Sequence, residues 1–165
     1  MDPQEYLAAC KIRDSILDDS DVLGSYAMPA QILKVGLAVT NDEGLLLVRK
    51  RGGASYILPG GKPEAGENDY DALVREVEEE LGCRIEAESL QFLGSFSDAA
   101  ADLEQVTVTV RLYSARLIGA PCPQAEIVDL EWFRPDGETT LSLAPSLQNH
   151  IVPFLCSQGK LHWLR

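Results

Sequence analysis

Three glutamates, Glu76, Glu79 and Glu80, stand at positions i, i+3 and i+4 of a segment that reads as one helix from Asp69 to Leu81. At about 100° per residue they fall within an arc of roughly 100°, centred about 120° from the apolar stripe of Leu73, Val74, Val77 and Leu81. Each like-charged pair so spaced costs about 0.2–0.5 kcal/mol. Glu78, Glu79 and Glu80 also occupy the last turn, where the helix dipole disfavours anions. Local rules broken in this way point to function. A divalent cation held by oxygen ligands turns the repulsion into binding.

The flanking residues extend the pattern. Gly60 and Gly61 come directly before the loop into the helix. Arg75 is adjacent to Glu79 on the helical wheel and is suited to hold the carboxylates through charge-assisted hydrogen bonds. From Gly61 to Cys83 the chain follows G-x5-E-x7-R-E-U-x-E-E-x-G-U, with U aliphatic: nine specified positions over 23 residues. Cys83 fills the last of them as a small hydrophobe. This stretch resembles the signature of the Nudix (MutT-like) hydrolases. The resemblance is specific over residues 56–83, diffuse over about 32–155, and does not cover the first thirty residues.

By that resemblance, Glu79 and Glu80 are the principal Mg2+ or Mn2+ ligands, with Glu76 beside them as a further ligand or water orienter. The same likeness implies that the carbonyl of Gly60 joins the metal shell. It gives Glu67 two roles, fixing the loop by hydrogen bonding or touching a metal. Many family members draw one more acid from outside the motif. Glu126, just before the strand reaching Trp132 and Phe133, occupies a similar place, and Asp98, Asp102 and Glu104 form a second acidic loop that could serve instead. Arg49, Lys50 and Arg51 with Lys62 are the densest basic cluster, and strand alternation lets at most two of the first three share a face. Arg49, Lys62 and Gly61 are the candidates for substrate binding. Trp132 and Phe133 read as core, and His150 as an ordinary helix residue.

With no evident Ser-His or Cys-His pair, the implied chemistry is metal-assisted attack of water on phosphorus in a P–O–P linkage. The expected substrates are nucleoside diphosphates linked to a further group X, with release of a nucleoside monophosphate. ADP-ribose hydrolases of the family often carry a proline soon after the motif, whereas here the next is Pro121; the tyrosine frequent in dinucleoside polyphosphate hydrolases is also missing before Tyr113. These absences favour nucleoside triphosphates, deoxynucleotides included, ahead of ADP-ribose or a nucleotide sugar. A non-catalytic ligand sensor or interaction module on the same fold is the reading of another class, but such modules usually lose carboxylates that this chain keeps.

The elements that must position these groups are legible in outline. Ile32–Thr40 and Leu45–Lys50 read as a hairpin around Asn41 to Gly44, and a third apolar run, Tyr56 to Leu58, stops at Pro59-Gly60-Gly61. Asn68 or Asp69 caps the glutamate helix and Gly82 ends it. Strands follow at Gln91–Phe96, Gln105–Leu117 and Ile127–Phe133, and then a closing helix from Pro145 to Leu155 that Pro153 must end or bend. One strongly marked helix among strands, without regular alternation, argues an α+β fold. The resemblance implies an α/β/α sandwich with a mixed β-sheet over residues 31–165. Residues 1–30 read as an N-terminal arm or short helix that crosses a homodimer interface or lies on the surface.

The chain has 165 residues, the size of one domain, and its 45% hydrophobic content excludes overall disorder. Fourteen basic against 26 acidic residues give a net charge of −12. Such a field repels nucleic acid, and a small polyphosphate partner, which the resemblance implies is a nucleotide, requires divalent cations between the two anions. No apolar run suits a signal peptide, and Thr139 to Gly159, uncharged but broken by Pro145 and Pro153, fails as a membrane span. Cys10, Cys83, Cys122 and Cys156 are scattered without a zinc pattern and read as reduced thiols of a cytoplasmic protein. Changing each helix glutamate in turn to Gln tests the cluster. Turnover should fall on the order of 10²-fold or more for Glu79→Gln and Glu80→Gln, fall strongly for Glu76→Gln, and stay near normal for Glu78→Gln. Equal small effects at all four would mean a merely solvated face.

Overall fold

The computed structural model describes residues 29–137 and 140–162. The N-terminal arm expected over residues 1–30 therefore lies almost wholly outside the described residues. Strands β1 (Ala30–Ala38), β2 (Thr40–Asn41), β3 (Gly44–Lys50) and β4 (Gly60–Gly61) precede helix α1 (Asp69–Leu81). After it come β5 (Arg84–Ile85), β6 (Gln91–Ala99), β7 (Val106–Ser114), β8 (Leu117–Ile118) and β9 (Ile127–Phe133). A wide π-type turn, Leu147–Ile151, runs into α2 (Val152–Ser157).

The four-stranded sheet has the order β4-β1-β7-β6, and β1 is parallel to β7 but antiparallel to β4. It is mixed, and a three-stranded sheet β2-β3-β9 lies beside it. The period of two in β1 and β3 divides the interior. Val35, Leu37, Leu46 and Val48 enter a core under α1 with Leu73, Val77 and Leu81. Ala38, Leu45 and Leu47 enter a second core with Leu147, Ile151 and Leu155 of the closing helix. Helix, sheet and helix thus form the three layers of an α+β sandwich. Phe133 packs against the second core and Trp132 against the first, so both are structural.

Three expectations about the strands need correction. The hairpin is confined to its tip: Asn41 Oδ1 accepts from the Glu43 and Gly44 amides, and Thr40 and Asn41 pair with β3, with the Val39 carbonyl accepting from the Leu46 amide beside them. The long strand β1 is occupied along one edge by β7 and along the other by β4, which leaves no edge for β3. Second, Gly60 and Gly61 do not simply end a strand but form one, opposite Gly36 and Val35. Gly60 has φ 135°, and a Cβ there would lie 2.1 Å from the Val35 carbonyl oxygen, so only glycine fits. The run from Gln105 also divides, with β7 ending at Ser114 and β8 pairing with β5.

Helix α1 starts and stops where its signals lie. Asn68 Oδ1 accepts from the Asp71 amide at 2.8 Å, and Gly82, at φ 64°, donates its N–H to the Glu78 carbonyl. Its N-terminus is tied to the sheet through Asp69, whose carboxylate accepts from Arg111 and, at 2.6 Å, from the Tyr113 hydroxyl. Burial, then that carboxylate, pushes the Tyr113 phenol up to about 12. Pro153 neither ends nor breaks the closing helix. The wide turn before it shifts the hydrogen-bond register, so that proline falls in the first turn of α2, where a missing N–H is tolerated. Among the described residues Cys83, Cys122 and Cys156 are free thiols, and no helix is long and apolar enough to cross a membrane. Asn68→Ala should lower the unfolding free energy by about 1 kcal/mol through loss of the cap, read from urea denaturation at constant m-value.

Candidate active site

The glycine strand and the glutamate helix meet face to face. Glu76 and Glu80, one helical turn apart, are 8% and 0% exposed. The Glu76 carboxylate fills the space beside Gly61, where a Cβ would come within 2.2 Å of its Oε1. Glu80 Oε2 accepts from the Gly60 amide at 3.0 Å, while its Oε1 is buried without an aligned hydrogen bond. Burial, opposed by the Gly60 amide and by Lys50, pushes the Glu80 carboxyl up to about 7.

Glu126 joins them from the loop before β9. The Cys122 and Gln124 amides of that loop donate to the Leu81 and Glu80 carbonyls, and Arg51 N donates to the Glu126 carbonyl. The last carbonyls of a helix lack intrahelical partners, and satisfying two of them draws the loop against the end of α1. Carboxylate oxygens of Glu76, Glu80 and Glu126 then lie within 4.8 Å of one another. Lys50 Nζ sits 3.2 Å from Glu80 Oε1 and 3.0 Å from Glu126 Oε1. Burial draws the Lys50 pKa down, but the two carboxylates outweigh it and leave it above its ordinary value. Glu126 is lowered by its own backbone amide and by Lys50. Three carboxylates, two of them out of water and one with an orphaned oxygen in Glu80 Oε1, suit a divalent cation.

Arg75 braces the arrangement. Its Nε and Nη2 donate to the two oxygens of Glu67, both at 2.9 Å, and Nη1 donates to Glu76 Oε1 at 2.9 Å. The Arg75 pair, helped by the Glu64 amide, holds the Glu67 carboxyl down at about 2. Of the two roles open to Glu67, its contacts are those of a loop fastener, and it stands apart from the trio. Glu79, one residue before Glu80, is turned to solvent and lies 3.6 Å from Arg75 Nη1. The structure therefore groups Glu76 and Glu80 with Glu126, leaving Glu79 at the rim.

The basic residues fall differently from expectation. Arg49 is bound to Asp129 at 3.4 Å and lies over the Tyr56 ring, away from the carboxylates. Lys50 continues the face of Leu46 and Val48 toward α1 and so reaches the acids, whereas Arg49 points from the opposite face of β3. The sequence places Lys50 in the basic cluster but does not single it out, because the choice depends on which face of β3 lies under α1. Lys62 is exposed, and its carbonyl accepts from Arg75. Of the alternative acids, Asp98 is held by Asn149 and His150 and Asp102 accepts from the Ala54 amide; neither joins the trio. A cleft of about 180 Å³ opens beside Gly60 and Lys50, with Leu58, Val108, Val110 and Leu147 on its walls.

Fold and site together define a hydrolase scaffold in which acidic side chains converge at the end of one helix. The NUDIX domain model matches residues 31–153, and the chain belongs to the Nudix hydrolase family, enzymes acting on pyrophosphate bonds. It is 31% identical over 127 residues to the uncharacterised Nudix hydrolase YvcI of Bacillus subtilis, covering 74% of this chain and 78% of the relative. Among solved structures, the MutT NUDIX hydrolase of Burkholderia pseudomallei superposes with a TM-score of 0.60 at 25% identity, over 72% of this chain and 94% of that one. An ADP-ribose pyrophosphatase of Streptococcus suis shares the fold with a TM-score of 0.52 at 24% identity, over 80% and 95% of the two chains.

Because the folded Glu80 holds its proton to about pH 7 while the unfolded chain releases it near 4.5, its contribution to stability is complete below 4.5 and is lost between those values. The melting temperature of the metal-free protein should therefore fall as pH rises from 4.5 to 7. In Glu80→Gln that segment should flatten, as scanning calorimetry at several pH values would show.

Proposed function

We propose that this chain is a Mg2+- or Mn2+-dependent hydrolase that cleaves the P–O–P linkage of a nucleoside diphosphate linked to a group X and releases a nucleoside monophosphate. The observation that carries the reading is the convergence of Glu76, Glu80 and Glu126 within 4.8 Å, two of them buried. These three would hold the cation, with Glu79 and the Gly60 carbonyl available at its edge. When bound, the ion neutralises diphosphate charge and makes water more acidic. Glu126, kept ionised by Lys50 and open to solvent, takes the proton from the attacking water. Arg75 orients Glu76 and fixes the loop through Glu67. Lys62, exposed on that loop, and the Gly61 backbone meet the phosphates. Nucleoside triphosphates, deoxynucleotides included, are the first substrates to test, with ADP-ribose and nucleotide sugars second.

A nucleotide panel assayed with each metal, with products identified by mass, tests the proposal. Turnover should require the cation and, in 18O-labelled water, should place the label in one phosphorus-containing product. Activity that survives exhaustive chelation, or a rearranged product without label, would overturn it.

A further inference from the structure

The cleft beside the carboxylates contains a charge that the site described so far does not use. On β1 the side chains of Ile32 and Lys34 line the cleft, and Ala38 continues the same face into the core of the closing helix. Lys34 stands in register with Val110 and shares its wall with Val108 and Leu58. A half-buried lysine thus interrupts an apolar stripe at the boundary between cleft and carboxylates. Among the described residues its ammonium makes no hydrogen bond and no ion pair. Burial draws its pKa down, and Lys50 and Lys62 add to this; Glu80 and Glu76 act on it through space without contact.

A cation removed from water without a counterion destabilises the fold. The neighbouring lysine has its counterions, since Lys50 is engaged by Glu80 and Glu126. Among the described residues Lys34 has none, although carboxylates stand nearby. Three ammonium groups on one side, Lys34, Lys50 and Lys62, match an anion of more than one charge better than the neutral edge of a base. The apolar walls deeper in the cleft, Leu58, Val108 and Leu147, suit an uncharged planar group.

We propose that Lys34 is a substrate-positioning residue, whose ammonium holds a phosphate oxygen of the substrate between the cleft and the carboxylate trio. The inference rests on the hydrolase reading above. It predicts which residue supplies the counter-charge to the phosphates from the sheet side, where neither Arg49 nor Lys62 reaches the cleft wall.

Calorimetric titration in Mg2+ with two probes that cannot be hydrolysed tests it: methylenediphosphonate, which has phosphorus groups and no nucleoside, and α,β-methylene-ADP. Lys34→Met should weaken both by about tenfold or more, as for loss of a charge-assisted hydrogen bond, and Lys34→Arg should restore most of the affinity. On a hydrolysed substrate KM should rise while kcat changes by less than about threefold. The unliganded Met variant should melt at or above the wild-type temperature, because a buried charge has been removed; Lys34→Gln serves if the Met variant aggregates. Unchanged binding of both probes overturns the proposal and leaves the hydrolase reading intact. Loss of the nucleotide probe alone also overturns it, by making Lys34 a reader of base or sugar. A wild-type protein that binds neither probe and hydrolyses no nucleotide overturns both.

Discussion

Glu80 has one carboxylate oxygen on the Gly60 amide and the other buried beside the Lys50 ammonium, and the surrounding structure follows from removing that group from water. A carboxylate so placed costs several kcal/mol unless its charge is met. In the ligand-free chain it is met in part by protonation near neutral pH and in part by an ammonium. Both are replaceable by a divalent cation, so the least comfortable residue of the helix is also the one best suited to bind such an ion.

That burial depends on glycine twice. Gly60 must approach the Val35 carbonyl closely for its amide to reach Glu80, and Gly61 must lack a Cβ for the Glu76 carboxylate to fit. The two-residue strand they form is held only because β1 offers an edge, its other edge being saturated by parallel pairing with β7. The sheet therefore does more than separate two apolar cores. It fixes the wall against which the helix presses its acids, and α1 is held to that wall by Leu73, Val77 and Leu81 below and by Asp69 at its start.

The end of α1 carries no basic residue to balance its dipole, and its last carbonyls are instead met by the amides of Cys122 and Gln124. One device thus satisfies the helix terminus and delivers Glu126, forty-six positions beyond Glu80 in sequence, to the acid cluster. Arg75 acts on the other flank, where one guanidinium spans Glu67, Glu76 and the Lys62 carbonyl. Charge repulsion among the helix acids is in this way offset from both sides before any cation arrives.

The sequence by itself determined the helix, its caps, its apolar stripe and the acidic face, because these depend on a 3.6-residue period and on residues at most four apart. It also specified the family, through nine positions within one 23-residue stretch. Tertiary structure decided which acids share a site. Glu79 turns to solvent while Glu76 and Glu80 turn inward, a difference of one 100° step that depends on where the glycine strand lies. The side of β3 that packs under α1 decided that Lys50 and not Arg49 faces the acids, and the pairing of both β1 edges reduced an expected hairpin to its tip. Lys34 was illegible for the same reason. A lysine in an apolar strand has no meaning until the strand has neighbours, and only the fold shows that, among the described residues, those neighbours leave its charge without a counterion.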